Sequence, residues 1–273
     1  MFTNYLMKYH RILRAEGFRG SMKSFIKLFL SKLDPEYNFQ FKFYTSINNL
    51  INSIRYSALS NPYKTIMINP TNIDYRLRKH NDSMVIAQAK YRGIGRIRGG
   101  DWDTYYKSIE DTSDGRGCII KGFRQRFESG MSWEKTDHYC HVKEKYEKKK
   151  YGNFNSLEEA VQKRMESNEL LYNKILENGY RSNHQSKPIR PGVSEPIESR
   201  LEVLVVIGRG GDIYLFGGYH RFSIARVLDI EIPVQVVCRH KKWQNIRDEI
   251  YKNGLTEEYL HLEDHPDLKD VLN

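Results

Sequence analysis

Tyr214-Leu-Phe-Gly-Gly-Tyr-His-Arg-Phe-Ser-Ile-Ala225 is the stretch that decides the fold. Upstream of it, Leu201 to Ile207 is a run of aliphatic and β-branched residues and reads as a buried strand; Arg209-Gly-Gly-Asp212 is turn chemistry, and Ile213 to Phe216 reads as the returning strand of a hairpin. Gly217-Gly218 then lets the backbone leave that strand sharply. The apolar spacing of Phe222, Ile224, Ala225, Val227 and Leu228 predicts a short helix starting near Tyr219. Pro233 closes the following loop, and Val234 to Cys238 reads as a third strand. A helix that opens directly after a glycine turn directs its first backbone N–H groups outward. With His220 and Arg221 beside them, those amides make a receptor for an anion, above all a phosphate.

Phe216-Gly-Gly-Tyr-His-Arg221 resembles the phosphate-binding signature of the ParB/sulfiredoxin superfamily, which includes sulfiredoxins, ParB-type nucleotide-binding domains and a ParB-like free-serine kinase. The helix and the Ile232-Pro-Val234 loop after it fit the same pattern, Leu157 to Tyr180 resembles the helix before the hairpin, and Ile66-Met-Ile-Asn-Pro-Thr-Asn-Ile73 resembles the opening strand and turn. The resemblance implies an α+β fold: a small mixed sheet with packed helices, carrying a helical N-terminal region and a large insertion. It also implies a nucleotide ligand, ATP or another, accompanied by Mg²⁺, with Gly217, Gly218, Tyr219, His220 and Arg221 as binding residues. Departures from the family narrow the activity. The redox thiol of sulfiredoxins falls at Tyr219, and a phenol does not do sulfur chemistry. ParB-type domains have alanine three residues after the arginine, where this chain has Ile224 and then Ala225, and their helix-turn-helix has no counterpart after residue 240. The acidic residue that the free-serine kinase carries just before the glycine is Gly217 here, so another segment must supply a carboxylate.

Tyr91-Arg-Gly-Ile-Gly-Arg-Ile-Arg-Gly-Gly-Asp-Trp-Asp103 offers one. Asp101 and Asp103, two residues apart, suit a shared divalent ion or a metal-plus-base division, and Arg92, Arg96 and Arg98 suit phosphate oxygens. The plain alternative is a glycine-rich turn whose aspartates cap nearby backbone. The sequence therefore suggests a nucleotide-dependent phosphotransferase acting on a hydroxyl of a small molecule or glycan, with Asp101, Asp103 and His220 catalytic, Asp101 and Asp103 holding the metal, and His220 otherwise only ordering the turn. A ParB-like nucleotide or nucleic-acid binder without turnover, and a metal-dependent nuclease, are the other two readings. For the second, Arg239, His240, Lys241, Lys242 and Trp243 form a candidate basic patch.

The chain of 273 residues carries a net charge of +10, which favours phosphate-bearing partners without choosing among them. No apolar run approaches a membrane span. Three cysteines, Cys118, Cys140 and Cys238, lack framework spacing; with no cleavable signal, a reducing cytoplasm is the expected location. Phe25, Ile26, Leu28, Phe29, Leu30 and Leu33, between Lys23, Lys27 and Lys32, predict a basic amphipathic helix. It suits packing on its own domain, or peripheral contact of residues 23–33 with an anionic inner membrane surface. Leu50, Ile51 and Ile54 suit a second short helix. The divisions expected are a basic, mainly helical region over 1–60, a core over 61–240 with its insertion at about 75–155, and a C-terminal helix with an acidic tail over 241–273. Ser156-Leu-Glu-Glu159 reads as a capping box opening a helix that stops at Asn178-Gly179, while Asp137-His-Tyr-Cys-His141 reads as packing or surface more than as a zinc site.

Overall fold

The computed structural model describes residues 38–78, 93–148, 154–182 and 202–272. The basic segment 23–33, Arg92 and the proline-rich stretch 187–196 lie outside them. The fold is α+β, with a mixed seven-stranded sheet. In chain order the elements are α1 (Asn38–Arg55), β1 (Thr65–Ile68), β2 (Tyr75–Leu77), β3 (Arg96–Arg98), β4 (Tyr106–Ser108), α2 (Gly115–Phe127), α3 (Asp137–Lys148), α4 (Leu157–Asn178), β5 (Val203–Ile207), β6 (Ile213–Gly217), α5 (Tyr219–Val227), β7 (Ile232–His240) and α6 (Lys241–Asn253). The strand order is β1-β7-β5-β6-β2-β4.

The long strand β7 is the spine. It pairs parallel with β5 along one edge, and its other edge is shared, the first half taken antiparallel by β1 and the second half parallel by β3. Strand alternation then sorts side chains onto two faces. Val203, Val205, Ile207, Leu215, Val234 and Val236 meet Phe222 and Ala225 of α5 and Trp243 and Ile250 of α6. Val206, Tyr214 and Val237 point the other way, toward Phe41 of α1, Ile94 and Trp102. Beyond α5, a further core joins Ile224 to Phe123 of α2, Trp133, Val142 of α3, and Val161 and Met165 of α4.

Residues 75–108, within the expected insertion, supply three strands of this same sheet, and α2 packs directly on α5. The α4 cap is as the sequence implies: Ser156 Oγ accepts from the N–H of Glu159 at 3.1 Å, and Gly179 ends the helix at φ 70°. α1 is longer than expected. It packs with Phe41, Thr45 and Asn52, and leaves Leu50, Ile51 and Ile54 exposed.

The C-terminal tail is tied in by a buried ionic knot. Asp267 is 1% exposed and accepts from Arg239 Nε at 2.8 Å and from Trp243 Nε1 at 2.8 Å, with Arg247 Nη1 at 3.3 Å. Desolvation would raise its pKa, but the two guanidiniums outweigh it and hold the carboxyl below its usual range. Arg239, His240 and Trp243 are therefore interior residues, and only Lys241 and Lys242 of the basic exit face solvent. That removes the candidate patch as a surface for nucleic acid. Taking one partner from a buried pair strands the other charge, at about 3–5 kcal/mol. Asp267→Ala should lose stability on that scale in urea unfolding, while Asp101→Ala, at a carboxylate that is 73% exposed, should cost under about 1 kcal/mol.

Candidate functional site

Gly218 makes the turn into α5. Its backbone is left-handed, φ 78° and ψ 29°, and a Cβ there would stand 2.9 Å from Val203 Cα. Both facts require glycine. α5 begins at the next residue, so Tyr219, His220 and Arg221 occupy its first turn, where no helical carbonyl can accept their N–H groups. The first helical bond runs from Phe222 N to Gly218 O at 3.0 Å.

The side chains of that turn are each positioned by a different neighbour. Tyr219 folds back on β6, donating to Phe216 O at 3.2 Å, with Arg116 of α2 5.7 Å over its ring. Burial, its main influence, holds the phenol above its usual range. His220 points toward α4, with Nε2 2.8 Å from Arg164 Nη2. An arginine only donates, so Nε2 accepts and the imidazole proton of this arrangement is on Nδ1. The ring also meets Phe123 and His138 edge-on, at 5.8 and 5.6 Å between centroids. Arg221 turns toward the start of β5. It stands 3.3 Å from the buried carboxylate of Glu202 and 4.1 Å over the Tyr180 ring, while Tyr180 itself donates to Glu202 at 3.2 Å. Arg116 sits at the amino end of α2, where Asp114 caps its N–H at 3.0 Å and also meets the wholly buried Arg76 at 3.0 Å.

The cluster is basic and aromatic, gathered from α2, α4 and α5 around one helix terminus. The glycine turn into a helix at Gly217-Arg221 was legible in the sequence; Arg164, Arg116 and Glu202 were not singled out, and His138 was weighed only within the 137–141 stretch. One signal was present for part of this. Arg164 and Asn168 are polar residues one helical turn apart beside the apolar positions Val161 and Met165, and a polar pair next to a buried stripe marks a helix facing something other than aliphatic core.

Asp101 and Asp103 are elsewhere. Asp103 is 3% exposed and is engaged by Arg209, from the backbone N at 2.8 Å, from Nε at 2.9 Å and from Nη2 at 2.7 Å; Nη2 also reaches Asp101 at 2.9 Å. Burial would raise the Asp103 pKa, but these bonds override it and hold the carboxyl below its usual range. Arg209 belongs to the tip of the β5–β6 hairpin, whereas Gly218 is at its base. At about 3.3 Å per residue, the length of β6 alone separates the two by roughly 13 Å. The structure does not bring Asp101 and Asp103 to the glycine turn of α5: Arg209 engages both at the other end of the hairpin. A divalent ion between Asp101 and Asp103 would have to displace that guanidinium, so the pair does not fit a Mg²⁺ site as it stands. Among the described residues no group of three or more potential ligands is placed to hold a metal. This includes the 137–141 stretch, where His138 is buried against Asn168, at 3.0 Å, and Cys140 is exposed.

His138 is 1% exposed, and burial pushes its pKa down to about 3, with the nearby Arg164 charge acting in the same direction. The folded chain therefore resists a proton that the unfolded chain accepts near pH 6.5. Stability from this group is complete above that pH and falls as pH drops toward the folded pKa, by up to about 1.4 kcal/mol per pH unit. Urea unfolding from neutral pH down to about pH 5 should show that slope, and His138→Gln, which keeps a partner for Asn168, should flatten it.

No protein-family model matches this sequence, and neither the curated proteins nor the solved structures gave a match to the chain.

Proposed function

We propose that this chain binds the phosphate of a nucleotide at the amino end of α5, in the manner that its resemblance to the ParB/sulfiredoxin superfamily implies. The observation that carries the reading is the left-handed Gly218 placing a helix terminus beside the Arg164–His220 pair. The backbone amides of α5 supply oriented donors and the positive end of the helix dipole. His220, its Nε2 engaged by Arg164, holds that guanidinium beside the first turn of α5. Arg116 adds positive charge from α2. Arg221 acts mainly by holding Glu202 and Tyr180, which fixes the first turn of α5 against β5. Mg²⁺ enters on this reading as the counter-ion of the nucleotide, independently of Asp101 and Asp103.

The second reading is phosphotransfer from that nucleotide to a hydroxyl-bearing acceptor. It needs a carboxylate at the turn to take up the hydroxyl proton. Glu202 is the residue that favours it, being a carboxylate in contact with the binding turn through Arg221. Transfer would require Glu202 to exchange its arginine partner for the acceptor, with the proton passing from the hydroxyl to a carboxylate oxygen.

Thermal unfolding with ATP, ADP, CTP or GTP, each with Mg²⁺, tests the binding. A ligand at a hundredfold excess over its Kd adds about 2.7 kcal/mol to the folded state, and at least one nucleotide should raise the Tm of the wild type by several degrees. Arg164→Ala and His220→Ala should remove most of the shift, and Asp101→Asn should keep it. If no nucleotide shifts the wild type, or if Asp101→Asn loses the shift while Arg164→Ala keeps it, the site is not at α5. A nucleotide-dependent activity that Glu202→Gln abolishes without changing the thermal shift would select phosphotransfer.

A further inference from the structure

α1 packs on the sheet through one face, where Phe41 is flanked by the buried polar residues Thr45 and Asn52. On the other, Phe43, Leu50, Ile51 and Ile54 recur at helical spacing with the half-buried Ile47 between them, and they are 51, 64, 42 and 80% exposed. An isolated exposed leucine needs no account, but a continuous stripe along one helix does. We propose that this stripe is a membrane-contact surface, and that α1 lies on an anionic lipid bilayer with the rest of the domain behind it. The proposal is independent of the phosphate reading, since α1 packs on the sheet face opposite α5.

Charge selects the occupant. Within its 18 residues α1 has Lys42 and Arg55 and no aspartate or glutamate. A second copy laid antiparallel on the stripe would bring Lys42 toward Arg55, and a parallel one would set each cation against its twin, with no acid on the helix to relieve either arrangement. The sequence preceding α1 is itself net basic, with seven lysines and arginines in residues 1–37 against Glu16, Asp34 and Glu36, so charge does not favour it as a cover either. An anionic surface instead accepts every one of these cations while the apolar stripe enters the acyl boundary, which is the composition of interfacial helices. Phe43 and Tyr44 give the stripe aromatic side chains suited to the headgroup level. The contact is peripheral: no helix among the described residues is long and apolar enough to cross a membrane.

The test is sedimentation of the full chain with vesicles of phosphatidylcholine, or of phosphatidylcholine containing phosphatidylglycerol, together with its solution mass by light scattering. The wild type should partition onto the anionic vesicles, release at high salt, and remain monomeric without lipid. Leu50→Ser and Ile54→Ser should each weaken partitioning about tenfold, with thermal unfolding unchanged because both side chains are exposed. Lys42→Gln with Arg55→Gln, which leaves the stripe intact, should weaken it about fivefold per charge. Arg164→Ala should bind vesicles as the wild type does, which separates a lipid surface from headgroup phosphate captured at α5. The proposal is overturned if the stripe variants sediment like wild type, if Arg164→Ala abolishes sedimentation, or if the wild type ignores anionic lipid. It is equally overturned if the wild type is a dimer that Ile54→Ser dissociates, which would assign the stripe to a second copy.

Discussion

A single left-handed residue sets the course of the chain. Val203 of β5 lies directly beneath Gly218, so close that no side chain fits between them. β6 therefore ends there and α5 returns over the face it has just left. Phe222 and Ala225 seal that face, and Ile224 is left pointing outward to receive α2 and α4. The same turn that aims a helix terminus at a prospective phosphate is thus the turn that builds the second core. Any residue with a Cβ at 218 would disturb both at once, through φ and through contact with β5.

The irregular parts of the fold are held by ion pairs more than by aliphatic packing. Arg209 clasps Asp101 and Asp103 to the hairpin tip, Arg76 fixes the 111–114 loop through Asp114 and the Asp111 carbonyl at 2.9 Å, and Asp267 joins the tail to β7 and α6. Each pair joins segments far apart in sequence. Short strands such as β2, β3 and β4 have too few residues to bury much area of their own, so fixed charges at their ends supply register. A part of the basic excess of this chain is therefore structural. Arg76, Arg239 and Arg247 are interior residues, and they reduce what the net charge says about partners.

This explains what the sequence could disclose. The hairpin, α5, β7 and the α4 cap rest on contiguous signals: β-branched runs, a glycine turn, and Ser156 three residues before Glu159. They could be read from neighbours in the chain. β2, β3 and β4 could not, because three residues carry no period and their places come from pairing, β2 with β6, β3 with β7 and β4 with β2. Asp101 and Asp103 read as a metal pair because carboxylates two residues apart suit a shared divalent ion. The counter-charge was Arg209, more than a hundred residues away in the chain. Leu50, Ile51 and Ile54 correctly marked a helix, but apolar periodicity does not find its inward face, which is specified by two polar residues: Thr45 Oγ1 accepts from the N–H of Ile94 and Asn52 donates to the Gly95 carbonyl.

The histidines at the candidate site show how such a region can be both interior and receptive. His138 is walled in by Phe123, Trp133 and Asn168, and its Nδ1 has no hydrogen-bond partner among the described residues. An imidazolium there would be buried beside Arg164, so the ring stays uncharged. His220, one ring further out, takes the guanidinium of Arg164 at Nε2, and the proton it retains is on the opposite side of the ring. Arg164 therefore does two things through one contact. It contributes a positive charge next to the α5 terminus, and it fixes the orientation of the His220 ring. An anion arriving at that terminus would meet donors that need not be reorganised, with no like charge placed on the buried His138 behind them. That is the physical sense in which the interior polar pair and the surface turn belong to one arrangement.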